Sequence, residues 1–279
     1  MSTLAMVVPV YNEEKLLPTF MANVFGHVDQ IIFVDGSAEG VSTDNTAELI
    51  QKYSANNIQY ISGQYGRLKV WDKKQQIKAG LDKVECDYVW LSSVDMLYRG
   101  LEDIKKVLNN DLDAIYGNCI EFWIDVKHIR KVADTYIKSY CMVCKKEYAR
   151  HYILGMNDDI AIDHEIMYLS NTIMYHYGWV RPFDQQIRKH IRNVLTGGWG
   201  EIGYKLLQKG TKSLEAWAIY HVLKYRETPC IATITNIKYW EDMECYEGLE
   251  QYASEYERRT RQDFYSSIMS KLPHELLGV

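Results

Sequence analysis

Apolar runs alternate with amphipathic stretches along the first half of the chain. Continuous apolar runs predict strands over residues 4–10, 30–36, 58–63, 87–93 and 113–123. Between them, apolar residues recur at helical spacing and predict helices over residues 11–25, 42–54, 72–84 and 100–110. Because the strands are apolar throughout and alternate with helices, the pattern predicts a parallel sheet covered on both faces.

The pattern changes after residue 123. Residues 125–153 suggest a helix followed by a strand, and the aromatic-rich residues 166–182 suggest strand and loop. Beyond Pro182 the sequence is mostly helical in pattern, without an internal repeat or a Gly/Ser-rich linker. We therefore expect one core over residues 1–182 and a mainly helical C-terminal extension over residues 183–279.

The composition is that of an ordinary globular protein. Of 279 residues, 47% are hydrophobic and 25% are charged, and the formal net charge is -5. This acidic balance argues against a generic nucleic-acid-binding protein. The apolar runs are all much shorter than the ~20 residues that span a bilayer, and the first residues lack the basic segment of a signal peptide. We therefore expect no transmembrane segment.

Two of the six cysteines, Cys141 and Cys144, have the spacing of a metal or redox site. A zinc site of the usual kind needs a second pair or two spaced histidines, and none follows at a suitable distance. We expect the cysteines to be reduced and buried, which is typical of a cytoplasmic protein.

Polar clusters follow three of the predicted strands. They are Tyr11-Asn12-Glu13, Asp35-Gly36-Ser37 and Ser93-Val94-Asp95. In parallel sheets, ligands bind beyond the carboxyl ends of the strands. We therefore expect these three clusters to lie along one edge of the sheet and to form a binding site there.

Four stretches, VVPVYNEE, IIFVDGS, STDNTAELI and DYVWLSSVD, together resemble the family 2 glycosyltransferases. The usual run of motifs in that family is P-x-Y-N-E, V-D-D-G-S-x-D-x-T and an Asp-x-Asp at the fourth strand. The resemblance covers roughly residues 4–100 and extends more weakly to YHYGWVRP near residue 180. It implies the α/β fold called GT-A, a Rossmann-like, mostly parallel sheet flanked by helices. It also implies a nucleotide-binding half over about residues 1–100 and an acceptor half over about 101–182.

The resemblance implies that the first strand end contacts the base of a nucleotide. The residues concerned are Pro9, Tyr11, Asn12 and Glu13. Their side chains can offer a ring for stacking, an amide and an acid. The alternative is a helix N-terminus that Asn12 caps and whose dipole Glu13 favours.

Two further segments are implied to face the nucleotide-sugar donor. Asp35, one acid where the family commonly has two, can accept a hydrogen bond from a uracil-type N–H; alternatively it is a turn residue beside Gly36. Lys74 and Gln75 stand where family members place basic and amide side chains. A solvated helix face is the alternative for both residues.

A divalent cation, Mn²⁺ or Mg²⁺, is implied by the family's Asp-x-Asp motif. Asp95 aligns with the second acid of that motif, and Ser93 occupies the place of the first. His176 is the expected second protein ligand, since Mn²⁺ accepts imidazole readily. Arg181 can grip a phosphate of the donor. The alternatives are that Asp95 caps the helix near residue 100 and that His176 is a packed core residue.

The catalytic base in this family is an acid near the start of a helix in the acceptor half. The stretch GMNDDIAIDHEI offers Asp158, Asp159, Asp163 and Glu165. We favour Asp159, then Asp158, because they follow Gly155 in a loop. A plain capping role for these acids is the alternative.

Together these features predict an inverting glycosyltransferase. The donor is expected to be a nucleotide-sugar, UDP-linked, and the acceptor a hydroxyl of a glycan or of a hydroxymethylated base in DNA. A nucleotidyltransferase would need a basic, Gly-rich loop after the first strand, and PVYNEE is neither. A catalytically inactive nucleotide-sugar-binding module is the other alternative, supported by Ser93 in the place of an acid.

Overall fold

The computed structural model describes residues 2–53, 57–67, 70–123, 125–130, 138–152, 166–180, 191 and 231–233. The chain divides into two compact units: Met1–Glu121 with Val132–His176, and Phe122–Lys131 with Tyr177–Val279. The strands are β1 Leu4–Val10, β2 Gln30–Asp35, β3 Ile58–Ser62, β4 Gly66–Arg67, β5 Val70–Trp71, β6 Tyr88–Leu91, β7 Met96–Arg99, β8 Ala114–Trp123, β9 Asp125–Arg130, β10 Lys138–Lys145, β11 Met167–Trp179 and β12 Ile231–Thr233. The helices are α1 Leu17–Val24, α2 Thr46–Lys52, α3 Lys73–Leu81, α4 Leu101–Val107 and α5 Lys146–Tyr152.

The first unit is built on a sheet in the order β8-β10-β6-β1-β2-β3. Strands β6, β1, β2 and β3 are parallel to one another, whereas β10 runs antiparallel between β6 and β8. Strand β11 pairs antiparallel with β7. The predicted α/β class with a mostly parallel sheet is therefore confirmed, and the antiparallel strands lie on the β8 side of the sheet.

Strand β1 is buried along its whole length because both faces of the sheet are covered. Leu4, Met6 and Val8 pack in one core with the buried residues of α1, and Ala5 and Val7 pack in the other. All of these side chains are fully buried. This two-sided burial explains the continuous apolar run, since each fully buried aliphatic side chain contributes about 1.5–3 kcal/mol.

Helix α3 lies unusually close to β1 and β2. A Cβ added at Gly80 would lie 2.5 Å from Val7 Cγ1 and 2.8 Å from Val34 Cγ2. One helical turn earlier, the fully buried Gln76 donates from Nε2 to the carbonyls of Val10 at 3.2 Å and Val34 at 2.6 Å. Gln76 therefore holds the carboxyl ends of β1 and β2 at a fixed spacing.

The later part of the chain departs from the expected helix followed by strand over residues 125–153. Its described residues form β9, then β10, then α5. Strand β9, where a helix was expected, pairs with β8 and β12, and strand β10 pairs with both β6 and β8 through Val143 and Cys144. Strand β7 was not predicted, because a four-residue strand directly after a turn has no periodicity to detect. The structure corrects both expectations through pairings between distant residues.

The second unit contains the described strand pair β9–β12. Strand β9 pairs antiparallel with β12, with Ala232 opposite Ile129. Phe122 and Tyr177 stack with ring centroids 4.6 Å apart. The helices expected over residues 183–279 lie outside the described residues. In that range the structure describes only Ile191 and strand β12. Within the described part, no helix is both long and apolar enough to cross a membrane.

Candidate functional site

The carboxyl ends of the parallel strands meet through backbone hydrogen bonds. The Gly36 amide donates to Val10 at 3.0 Å, and the Gly63 amide donates to Asp35 at 3.0 Å. On the other side of β1, the Ser92 amide donates to Val7 at 3.0 Å. The structure therefore brings the three predicted polar clusters to one edge of the sheet.

Asn12 joins the loop after β1 to the segment before α2. Its backbone amide donates to Ser42 Oγ at 2.9 Å, and its side-chain Oδ1 accepts from the Thr43 amide at 2.8 Å. Asn12 adopts a left-handed conformation with φ 56°, which asparagine tolerates better than most residues. It does not cap α1, whose N-cap is Leu16. Its side chain is instead committed to holding the two loops together.

Further contacts lock the same two loops. The Glu13 amide donates to Thr46 Oγ1 at 2.8 Å, and the Glu14 amide donates to Asp44 Oδ2 at 3.1 Å. In return, the Asn45 amide donates to Glu14 Oε2 at 3.1 Å. The polar residues of the two motifs thus bond to each other, so the loop reaches its shape without a ligand.

Pro9 and Tyr11 occupy different environments at this strand end. Pro9 is buried within β1 and pairs with Val34 of β2. Tyr11 is half-buried, and its hydroxyl donates to Glu39 Oε2 at 3.3 Å. Glu39 lies in the tight Ser37–Gly40 turn. Of the two residues, Tyr11 is the one with ring surface open to a ligand.

Asp35 is fully buried and organises the loops around it. Its carboxylate accepts from the Ser42 amide and hydroxyl, and its Oδ2 accepts from the Tyr60 hydroxyl at 2.6 Å. Burial, and then the hydrogen bond and negative charge of Asp35, raise the pKa of Tyr60 well above its ordinary value. Contact of Asp35 with a base remains a prediction, and its observed partners are all within the protein.

Gly36 allows β2 and β3 to approach each other directly after Asp35. Its φ is +146°, and a Cβ at this position would lie 2.0 Å from the Gly63 carbonyl oxygen. Any side chain would therefore push the end of β3 away. This close approach keeps Asp35 within reach of Tyr60 on β3.

Helix α3 buries Gln76, which the sequence did not single out, next to the predicted residues Lys74 and Gln75. Lys74 and Gln75 are exposed in its first turn, as a solvated helix face would be. Asp72 caps the helix by accepting from the Gln75 amide at 3.0 Å. The neighbouring Gln76 is the buried one, and sequence reasoning missed it. An amide inside an otherwise amphipathic pattern was its only signal.

Asp95 lies in the tight turn that joins β6 to β7. The Met96 amide donates to the Ser93 carbonyl at 3.0 Å, which closes the turn. Asp95 is 6% exposed, and Ser93 is half-buried beside it. Asp95 does not cap α4, because the N-cap of that helix is Gly100 with φ 80°. The turn therefore presents the carboxylate from a rigid support.

His176 meets Asp95 because β11 pairs with β7, with His176 opposite Met96. Its Nε2 lies 3.8 Å from Asp95 Oδ1, and its Nδ1 lies 3.5 Å from Glu121 Oε1. The two residues expected to share a cation are thus brought together. Sequence reasoning missed Glu121, whose signal was the single charged residue of strand β8.

The donor atoms at this position fit a divalent cation. Ligands about 2.0–2.2 Å from one ion lie roughly 3–4 Å apart, and Asp95 Oδ1 and His176 Nε2 are 3.8 Å apart. A carboxylate with an imidazole suits Mn²⁺ better than Mg²⁺. Across the described residues, no group of three or more His, Cys, Asp or Glu side chains is arranged to hold a metal. A bound ion would need further oxygens from elsewhere.

Three predicted site residues lie outside the described residues. They are Arg181, expected at the donor phosphates, and Asp158 and Asp159, expected as the base. The remaining alternatives for the base, Asp163 and Glu165, lie outside them as well.

A mostly parallel sheet with polar side chains gathered at its carboxyl edge defines an α/β protein, and this edge is where sheets of this kind bind ligands. The chain belongs to glycosyl transferase family 2, whose family model matches residues 5–165. It is therefore a glycosyltransferase of the class that uses nucleotide-sugar donors.

Similar solved structures share little sequence with the chain. S. aureus TarS 1-349 is 11% identical with a TM-score of 0.43, covering 80% of this chain and 82% of that one. Mannosyltransferase PcManGT from Pyrobaculum calidifontis, solved with GDP-Man and Mn2+, is 12% identical with a TM-score of 0.44, covering 80% and 74%. No curated protein matches the sequence.

Proposed function

We propose that the protein is an inverting glycosyltransferase that transfers a sugar from a UDP-linked donor to an acceptor hydroxyl. The observation that carries this proposal is the meeting of Asp95 with His176 beside the strand ends. A carboxylate and an imidazole in this position suit the diphosphate end of a donor. The locked loop of residues 11–14 suits its nucleoside end.

The nucleoside is proposed to bind at the ends of β1 and β2. Tyr11 has ring surface for stacking on a base, and its hydroxyl is already oriented by Glu39. The backbone around Asn12 is held by Ser42 and Thr43 before any ligand arrives. A site formed in advance loses less conformational entropy on binding, which favours affinity for the donor.

The donor diphosphate is proposed to bind with a divalent cation, Mn²⁺ or Mg²⁺. Asp95 and His176 would hold the ion, and the donor's own phosphate oxygens would complete its shell. When bound, the cation neutralises the charge of the departing diphosphate. Ser93 offers a neutral hydroxyl where the family commonly has an acid. Arg181 is proposed to contact the phosphates.

Inversion requires in-line attack by the acceptor hydroxyl while a carboxylate takes its proton. We assign this role to Asp159 first and to Asp158 second. The acceptor is proposed to be a hydroxyl of a glycan, and a hydroxymethylated base in DNA is the second candidate. Binding to DNA would weaken steeply with salt, whereas binding to a neutral glycan would not.

A cytoplasmic location is proposed from the cysteines. The four cysteines in the described part of the chain, Cys86, Cys119, Cys141 and Cys144, are free thiols. All four are buried, and burial raises the pKa of the Cys86 thiol. Reduced, unreactive thiols are typical of a reducing compartment.

A thermal-shift screen of nucleotide-sugars with and without Mn²⁺ tests the proposal. A donor present at 100 times its dissociation constant stabilises the folded state by about 2.7 kcal/mol. We expect a UDP-sugar to stabilise the wild type more with Mn²⁺ than without it, and Asp95→Ala to lose that increment. Asp82→Ala, which removes an exposed carboxylate at the end of α3, is the matched control. The proposal fails if no UDP-sugar binds, or if Asp95→Ala behaves like the control.

An inactive nucleotide-sugar-binding module is the second candidate, favoured by Ser93 in place of an acid. Hydrolysis of the donor in the presence of Mn²⁺ distinguishes the two. An enzyme releases UDP, and Asp95→Ala releases much less. If neither the wild type nor Asp95→Ala releases UDP while the wild type still binds the donor, the protein is a binding module instead.

A further inference from the structure

We propose that Glu121 is a positioning residue that orients His176 and selects the imidazole tautomer able to hold a cation beside Asp95. The inference rests on the proposed function, because it concerns the same cation position. It adds a residue that neither the sequence motifs nor the family match assigns to the site.

The tertiary structure brings the two carboxylates to opposite sides of one imidazole. Asp95 comes from the β6–β7 turn, and Glu121 comes from β8, a neighbour of β11 in the sheet. His176 Nε2 faces Asp95 at 3.8 Å, and Nδ1 faces Glu121 at 3.5 Å. The ring therefore lies between two acceptors, each directed at a different nitrogen.

Burial strengthens the electrostatic interactions of the imidazole with the two carboxylates. The side chains of Asp95, Glu121 and His176 are 6%, 21% and 18% exposed. Charges in such surroundings interact more strongly than exposed ones, because less water screens them. The Nδ1 contact is longer than the 2.7–3.2 Å of a hydrogen bond, so its effect is the attraction between an N–H dipole and a carboxylate.

A neutral imidazole carries a single proton, and only the other nitrogen can bind a metal. Asp95 favours the proton on Nε2, which blocks the position between the two residues. Glu121 favours the proton on Nδ1, which leaves the Nε2 lone pair directed toward Asp95. A carboxylate on the far nitrogen of a ligating histidine is a common support of metal sites. Glu121 stands where that support is required.

The test compares Glu121→Ala with Glu121→Gln, which keeps an oxygen acceptor at the same place. Mn²⁺ affinity would be measured by titration on the full chain. We expect Glu121→Ala to bind Mn²⁺ about 10–100-fold more weakly than the wild type and Glu121→Gln to retain most of the affinity. Glu102→Gln, on the exposed side of α4, is the control for removing a negative charge elsewhere.

The tautomer is read directly in the metal-free protein. Long-range proton–nitrogen correlation spectra, recorded at mildly alkaline pH, distinguish Nδ1–H from Nε2–H. His176→Gln assigns the signal. We expect Nδ1–H in the wild type and in Glu121→Gln, and a shift toward Nε2–H in Glu121→Ala. If Glu121→Ala fails to fold, Glu121→Met replaces it, since methionine keeps the volume and lacks the acceptor oxygen.

Two results would overturn the role of Glu121. One is unchanged tautomer and unchanged Mn²⁺ affinity in Glu121→Ala. The other is equal loss of affinity in Glu121→Ala and Glu121→Gln with the wild-type tautomer in both, which would make Glu121 a direct ligand. A wild type that binds no Mn²⁺ would instead refute the proposed cation site, while the tautomer of metal-free His176 would still report on Glu121.

Discussion

Replacing Tyr60 by phenylalanine tests whether Asp35 is a buried, charged centre that holds together Ser42, in the segment after β2, and Tyr60, in β3. The Tyr60 hydroxyl donates to Asp35 Oδ2 at 2.6 Å, and Asp35 is fully buried. A hydrogen bond to a charged group contributes about 1.5–3 kcal/mol. Asp35 would keep its two donors from Ser42, so its charge would not be left without a partner. We therefore expect Tyr60→Phe to lower the free energy of unfolding by about 1.5–3 kcal/mol.

The pH dependence of the stability difference between the wild type and Tyr60→Phe provides a second, independent test. Burial, followed by the hydrogen bond and charge of Asp35, raises the pKa of Tyr60 above its unfolded value of about 10. The folded state therefore holds the phenol proton more tightly than the unfolded state does. The stabilisation is fully present below about pH 10 and is lost as the pH rises toward the folded value. The gap between wild type and Tyr60→Phe should shrink over that range.

Urea unfolding at neutral and at alkaline pH measures both quantities. Tyr53→Phe is the matched control, because this half-buried tyrosine makes no hydroxyl hydrogen bond in the described part of the chain. Its expected effect is within about 0.5 kcal/mol. A Tyr60→Phe variant as stable as this control, or a gap that widens as the pH rises, would refute the assignment of Asp35 as a buried, charged centre.

Two further substitutions test the packing and the loop geometry behind the site. Gly80→Ala should destabilise the protein, because overpacking against Val7 and Val34 costs about 1–3 kcal/mol and the better helix propensity of alanine returns at most about 1 kcal/mol; a favourable coupling with Val7→Ala in a double-mutant cycle checks the cause. Asn12→Ala loses the hydrogen bond to Thr43 and places alanine, which tolerates the left-handed region less well than asparagine, at φ 56°, at a combined cost of about 2–3 kcal/mol. Asn12→Gly should cost less, since glycine adopts this conformation freely. Equal losses in the two Asn12 variants, measured by urea unfolding, would show that backbone strain has no part.

Much of the first unit was predictable from local pattern. Strand β1 was found because a sheet covered on both faces requires seven consecutive buried residues, and such a run is visible without partners. The convergence of Asn12, Asp35 and Asp95 followed from the rule that parallel strands end at one edge. The family was found because several motifs occur in the right order, which a single short motif does not establish.

Other features depend on pairings between distant residues. Strand β9 was expected to be a helix, because its hydrogen bonds are made with β8 and β12 and no local period marks them. Gln76 was not singled out, since helical spacing alone does not show which residue of a turn is buried against the ends of β1 and β2. The sequence did not mark Glu121 as a site residue, because only the folded chain brings it close to His176.

The amino-acid order alone was enough to predict the parallel centre of the sheet, the edge at which its polar clusters gather and the family to which the chain belongs. These depend on hydrophobic period and on motif spacing, which are properties of short stretches. The internal hydrogen bonds of Asp35 and the position of His176 between Asp95 and Glu121 required the folded chain. They arise where β7, β8 and β11 meet, and a contact between residues far apart in sequence leaves no periodic trace in either segment.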